Sequence, residues 1–259
     1  MRAIVTGAAR GIGRAICLRL ARDAEGVGGV RLVVSDQHAD ELRSLVAEIE
    51  ALGGQATAVI GDLSDPVQPG RIVEAAQALG GLDALVSNAG ICIPGPLATY
   101  DMAHWDKVFA VNVRAPLMLA QAAYAALKET QGAMVMTTSI SGTNAHEPLG
   151  AYSASKAAAL MLARQLANEW GPQGIRVNAF SPGPTLTPGT APAYASPATL
   201  AQREGRIPLR RIGVVEDMAG VVAFLLSKDA AYVQGVDLVV DGGFSNTLMS
   251  ALDMSGWRA

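Results

Sequence analysis

Three residues carry the clearest chemical signal in this chain: Ser139, Tyr152 and Lys156. Tyr152 and Lys156 are four apart at the start of a helical pattern and so share one face. A free tyrosine hydroxyl titrates near ~10 and is a poor base at neutral pH. An ammonium one turn away favours the phenolate and is expected to lower that value, each unit being worth about 1.4 kcal/mol. Such a pair also occurs as a plain surface contact. Ser139 argues against that reading, because it ends the preceding strand pattern thirteen residues earlier. Parallel sheets bind ligands at that strand edge. The chemistry these groups can do is proton transfer to or from a carbon-bound oxygen.

A second cluster could hold an anion. The first strand pattern runs into Thr6-Gly7-Ala8-Ala9-Arg10-Gly11-Ile12-Gly13 and a helix follows. Glycines at 7, 11 and 13 permit a tight turn, and the free N–H groups and dipole of a helix N-terminus favour a pyrophosphate. A Gly-rich turn of this kind can also be only structural. Asp36 follows the second strand pattern, where a carboxylate can accept hydrogen bonds from an adenosine ribose or cap the next helix.

These residues need a frame that presents strand ends side by side. Apolar, β-branched runs at 2–6, 30–35, 56–60, 82–87, 132–138, 174–180 and 235–240 alternate with helical patterns near 11–23, 38–52, 67–79, 101–128, 152–170 and 216–227. Runs such as Leu82 to Val86, apolar except for Asp83, suit a sheet covered on both faces. The expected fold is α/β: a doubly wound parallel sheet of about seven strands with helices on both faces, a Rossmann fold. The 259 residues fit one dinucleotide-binding and catalytic domain, 1–259. Residues 182–208 break the alternation with prolines and glycines, then a short helical pattern around Leu200 to Glu204. A loop this long reads as a lid, at about 184–208, or as a surface excursion. A tail follows at 244–259.

Composition excludes other classes. Half of the residues are hydrophobic and 17% are charged, the balance of an ordered globular chain. A net charge of −3 gives no support for nucleic-acid binding. No apolar run reaches a membrane span and no leader precedes the first strand pattern, so the expectation is a cytoplasmic protein without a membrane partner. Cys17 and Cys92 fit no metal or redox spacing and read as plain thiols. His38, His104 and His146 are scattered, so no metal is expected.

The ordered set of motifs resembles the short-chain dehydrogenase/reductase family. It comprises TGAARGIG at 6–13, Asp62 in GDLSD, NAG at 88–90, Asn112 in VNV, Ser139, YSASK at 152–156, NAFSPG at 178–183, Thr187, and VDGG at 240–243. The match runs from residue 1 to about 245. It departs at AEGVGG (24–29), at His146-Glu147, and in the 16 residues after Gly243. The resemblance implies that Tyr152 is the general acid/base and that Lys156 lowers its pKa and bonds the nicotinamide ribose. Ser139 would hold the substrate oxygen, and Asn112 would support a water linking Lys156 to solvent. Gly7, Arg10, Gly11, Ile12 and Gly13 would form the pyrophosphate and ribose turn. Asp36 would meet the adenosine ribose, Asp62 and Leu63 the adenine, and Asn88, Ala89 and Gly90 the adenine ribose. Pro182, Gly183, Thr185 and Thr187 would face the nicotinamide amide. Hydride transfer on the pro-S face and a homotetramer sharing helices 101–128 and 152–170 are also implied. The apolar run 157–163 supports that oligomer, since one face can cover the sheet while another needs a partner.

The resulting expectation is an NAD-dependent oxidoreductase, NAD ahead of NADP because Asp36 would repel a ribose 2′-phosphate, although Arg10 could partly accommodate one. Its small-molecule substrate would be hydroxylated, sugar- or polyol-like. That rests on Thr143, Asn144, His146, Thr185, Thr187 and Thr190 in segments expected to line the pocket, with His146 touching substrate. The alternatives are an NADPH-dependent 3-oxoacyl-carrier-type reductase and a dehydrogenase of simple secondary alcohols. Arg203, Arg206 and Arg210 could clamp an anionic substrate or lie on a solvated face, while the family pattern makes Arg211 structural.

Overall fold

The computed structural model describes residues 1–24, 26 and 29–247, which leaves half of AEGVGG and the tail beyond Thr247 outside the described residues. Among the described residues seven strands form one sheet: β1 (Arg2–Thr6), β2 (Arg31–Asp36), β3 (Gln55–Ile60), β4 (Ala84–Ser87), β5 (Ala133–Thr137), β6 (Arg176–Pro182) and β7 (Asp237–Val240). Their order is β3-β2-β1-β4-β5-β6-β7 and every pairing is parallel. The chain winds outward from β1 in one direction, then returns to place β4 on its other side. The crevice between β1 and β4 is therefore the point where strand order reverses.

The described residues form eight α-helices: α1 (Gly11–Asp23), α2 (Ala39–Ala51), α3 (Gln68–Ala78), α4 (Met102–Phe109), α5 (Ala115–Thr130), α6 (Tyr152–Trp170), α7 (Pro197–Arg206) and α8 (Val215–Leu226). Alternate strand residues feed two separate cores. Ile4, Val33, Leu85, Met134 and Val177 pack with α3, α5 and α6, while Val5, Leu32, Val34, Val86 and Phe180 pack with α1, α2 and α8. All ten of these side chains are fully buried. Burial of each is worth about 1.5–3 kcal/mol, which is why the strands read as continuous apolar runs. Asp83, the charge within one such run, lies just before β4 and accepts from Arg2 at 2.6 Å, tying β1 to β4 at the edge opposite the crevice.

One element differs from the sequence pattern. The helix expected over 101–128 is interrupted by a π-helical turn at Ala110–Arg114, which carries Asn112. One residue is accommodated there beyond the regular helix, a distortion that recurs at functional sites. The helical pattern expected around Leu200 to Glu204 forms α7, begun by Ser196, whose hydroxyl accepts from the Thr199 N–H at 3.4 Å.

Candidate active site

A cleft of about 780 Å³ opens along the C-terminal ends of the strands. One end is built by the glycine turn. The N-cap of α1 is Arg10, which is extended and makes no side-chain cap bond, so the first-turn N–H groups remain available to an anion. A Cβ on Gly13 would stand 2.1 Å from the carbonyl oxygen of Gly7. Only glycine lets the helix approach this closely, and a dinucleotide pyrophosphate fits the resulting cradle.

Asn88 braces this end. Its amide donates to the carbonyls of Thr6 and Gly7 at 3.0 and 3.3 Å, and its carbonyl oxygen accepts from the Thr137 hydroxyl at 3.1 Å. The Thr6 hydroxyl accepts from the backbone N–H groups of Asn88 and Ala89. The side chain assigned to a ribose by resemblance thus ties the ends of β1, β4 and β5 together, and both its amide hydrogens are already in use. Asp62 and Leu63 line the cleft, where the Ser64 N–H holds the Asp62 carboxyl below the usual carboxylate range.

At the other end, Ser139, Tyr152 and Lys156 come together. Ser139 lies two residues beyond β5, and Tyr152 and Lys156 occupy the first two turns of α6. The Lys156 Nζ is 5.7 Å from the Tyr152 ring centroid and donates to the Thr137 carbonyl at 2.8 Å. Lys156 is only 3% exposed, and burial pushes its ammonium down to about 8. Burial also pushes the Tyr152 phenol above its ordinary value, with a hydrogen bond from Ser139 opposing. Burial works against the charged form of each group, since removal from water disfavours phenolate and ammonium alike.

The π-helical turn sets Asn112 beneath this group. Its oxygen accepts from the Ile91 N–H at 2.8 Å, and its amide donates to the Ile91 carbonyl and the Ser155 hydroxyl, each at 2.9 Å. Ser155 in turn donates to the Tyr152 carbonyl at 2.7 Å. Asn112 so fastens the loop after β4 to the first turn of α6. Gly90 in that loop leaves room for the lysine, since a Cβ there would lie 3.0 Å from Lys156 Nζ.

Pro182, Gly183, Thr185 and Thr187 line the cleft. The threonines bond chiefly within their own segment: Thr185 Oγ1 donates to the Gly183 carbonyl at 2.9 Å, and Thr190 Oγ1 to the Thr185 carbonyl at 2.6 Å while accepting from the Thr187 N–H at 2.9 Å. Thr143, Asn144 and His146 are exposed and stand apart from the residues lining the cleft. Asn144 and Thr143 bond back to the Ile140 carbonyl, and His146 Nδ1 lies 3.3 Å from the Ser141 hydroxyl. The pocket is thus less polar than the residue types alone suggest, because local turns consume the hydroxyl and amide groups. Arg203 stacks over Tyr194 at 5.0 Å, Arg210 donates to the Gly205 carbonyl, and Arg211 pairs with Asp217 at 2.6 Å at the start of α8. Cys92, read from sequence as a plain thiol, lines the cleft together with Tyr152 and is raised in pKa by burial. Its place two residues after the NAG motif was the available signal. Cys17, on the inner face of α1, is buried in the core.

A glycine-bounded pyrophosphate cradle and a tyrosine–lysine–serine group on one strand edge define a nicotinamide-dependent oxidoreductase of the Rossmann type. The family profile described as enoyl-(acyl carrier protein) reductase matches residues 7–245. The L-rhamnose 1-dehydrogenase (NAD(P)(+)) of a Sphingomonas species is 36% identical over 93% of this chain and 94% of its own. The 2,5-dichloro-2,5-cyclohexadiene-1,4-diol dehydrogenase of Sphingobium indicum is 35% identical over 94% of this chain and 95% of its own. A short-chain dehydrogenase from Burkholderia cenocepacia, solved with NADP, superimposes with a TM-score of 0.85 at 37% identity, covering 94% of this chain and 97% of that one. The chain belongs to the short-chain dehydrogenase/reductase family, whose members interconvert CH–OH and C=O groups with a nicotinamide cofactor. Among the described residues no helix is long and apolar enough to cross a membrane.

Proposed function

We propose that this chain is an NAD-dependent dehydrogenase/reductase of a small hydroxylated substrate, with Tyr152 as acid/base. The observation that carries this reading is the convergence of Ser139, Tyr152 and Lys156 beside an uncapped α1 N-terminus in one cleft. When bound, the nicotinamide supplies or accepts the hydride. The chain's own groups do the rest. The N–H groups of the α1 first turn hold the pyrophosphate, and Asp36 accepts from the adenosine ribose diol. Ser139 donates to the substrate oxygen. Tyr152 gives its proton to that oxygen during carbonyl reduction and takes it back during alcohol oxidation, and Lys156 supports the phenolate as it forms. Holding one carbon–oxygen unit between these groups supplies much of the rate.

Support for a sugar- or polyol-like substrate comes from the rhamnose and diol dehydrogenases among the relatives. The lid threonines add little to it, since they bond one another, and this favours simple secondary alcohols as the second reading. Tyr152→Phe decides the central claim. It is expected to lower turnover by at least about 10²–10⁴ while NADH affinity stays within a few-fold. A Phe variant that keeps a tenth of wild-type turnover assigns the proton to another group. A screen of sugars, polyols, hydroxy acids and secondary alcohols separates the two substrate readings by kcat/KM.

A further inference from the structure

One ionisable side chain close behind the site takes no part in the chemistry above. Asp237 opens β7 in an otherwise apolar stretch, Val236 to Val240. It stands opposite Ala179 of β6 in the parallel register. Ala179 belongs to the core on the α6 side, so Asp237 faces that side as well. Ser181, two residues further along β6, and Thr138, the residue after β5, share this face, and both are buried.

These three side chains form one network. The Ser181 hydroxyl donates to Asp237 Oδ2 at 2.9 Å and lies 2.8 Å from the Thr138 hydroxyl, which reaches the Phe180 carbonyl at 2.8 Å. Asp237 Oδ1 is 3.4 Å from Thr138 Oγ1. Side chains therefore tie β7 to β6 and to the residue that leaves β5. Thr138 also lines the cleft, between two groups that matter there. Before it, the Thr137 carbonyl accepts from Lys156 Nζ. After it, Ser139 Oγ accepts from the Ser141 N–H at 3.1 Å, which turns the Ser139 hydrogen towards Tyr152 and the substrate oxygen.

The fold alone does not require a carboxylate at this place. Without it, Ser181 could donate to Thr138 and Thr138 to the Phe180 carbonyl, leaving neither hydroxyl hydrogen unpaired. Burial pushes the Asp237 carboxyl above its usual range, against the pull of Ser181, of Arg164 on α6 and of Thr138. Its charged form thus lowers the stability of the fold. A β-branched apolar residue suits a strand here better.

We propose that Asp237 is a positioning residue for the reaction: through Ser181 and Thr138 it fixes the strand end that presents Ser139 to the substrate oxygen. This rests on the dehydrogenase/reductase reading above.

The test compares Asp237→Val and Asp237→Asn with wild type, using the fastest substrate of the sugar, polyol, hydroxy-acid and alcohol screen. Asparagine keeps the network, because its oxygen accepts from Ser181 and its amide can donate to Thr138. Asp237→Val should lower kcat and kcat/KM together by about tenfold, the mark of a contact made in the transition state. NADH affinity should stay within a few-fold, and the urea midpoint should not fall. Asp237→Asn should keep kcat within about twofold of wild type. Amide hydrogen exchange, which needs no substrate, should speed up over residues 138–142 in the valine variant and not in the asparagine one. A valine variant with wild-type kcat or wild-type exchange overturns the proposal. So does one that loses stability or NADH affinity along with kcat, or an asparagine variant as slow as valine. If nothing in the screen is turned over, the enzymatic reading falls and this proposal with it. If Tyr152→Phe retains turnover while the Asp237 variants behave as expected, the acid/base assignment fails and the Asp237 proposal stands.

Discussion

Replacing Lys156 by methionine should abolish turnover and yet make the protein more stable at neutral pH. The ammonium is buried, and its pKa falls from 10.5 to about 8. That fall is roughly 2.5 pH units, which at about 1.36 kcal/mol each amounts to about 3 kcal/mol for burying the charged form. Methionine has a similar length and no charge, and it adapts to irregular space. It also removes the 2.8 Å bond to the Thr137 carbonyl, a loss of about 1–2 kcal/mol. The net expectation near pH 7 is a gain of about 1–2 kcal/mol. The sign follows from proton binding. Between about 8 and 10.5 the unfolded chain binds more protons at this position than the folded one, so wild-type stability rises with pH across that window. The gain of the variant is therefore full below pH 8, shrinks above it, and reverses to a small loss once the lost carbonyl bond alone remains. Urea midpoints for both proteins at fixed protein concentration, at about pH 7 and about pH 10, measure this directly. A variant less stable than wild type at the lower pH, or a gain that does not change with pH, refutes the reasoning.

Because burial raises the Tyr152 phenol, alcohol oxidation should still be climbing above about pH 8.5 while carbonyl reduction stays level there and declines only once the phenol ionises, as kcat/KM profiles in both directions will report. Near neutral and alkaline pH, wild type should prefer NAD over NADP by at least about 100-fold in kcat/KM, roughly 3 kcal/mol, and Asp36→Ala should narrow the gap; equal efficiency with both cofactors in wild type overturns this. Gly90→Ala should lower turnover with little loss of stability, since its Cβ would crowd Lys156 Nζ at 3.0 Å and Asn112 Oδ1 at 3.3 Å; wild-type kinetics would show that the loop moves aside. Static light scattering at about micromolar concentration should give four copies, with Met161 on the outer face of α6 and Met102 at the start of α4, both well exposed in the single chain, covered by partners; a monomeric mass rules this out.

Much of this arrangement was legible in the residues. The strand–helix alternation follows from apolar periodicity, and Tyr152 and Lys156 depend only on helical spacing, which is local. Ser139 was legible because its distance along the chain fixes it at the strand end before α6. The remainder depends on neighbours far apart in sequence. That the Asn88 side chain also braces the sheet follows from the order β1-β4-β5, which sets Thr6 and Thr137 on either side of it. The direction of the Tyr152 shift depends on how deeply the tyrosine and lysine are buried, which spacing does not carry. The polar residues ahead of Tyr152 and in the lid were visible, but their partners are backbone groups of tight turns, so residue type overstated the polarity of the pocket.

The threonine knot at 185–190 bears on how the chain can change over evolutionary time. It is anchored at the Gly183 carbonyl and closes upon itself, so the stretch that emerges from it inherits a fixed starting direction whatever its own composition. Residues from Ala191 to Arg206 can then diverge, lengthen or be exchanged between relatives with little disturbance to the groups at the strand ends. New substrates would become accessible through a replaceable segment, while the tyrosine, lysine and serine keep their places at the strand ends.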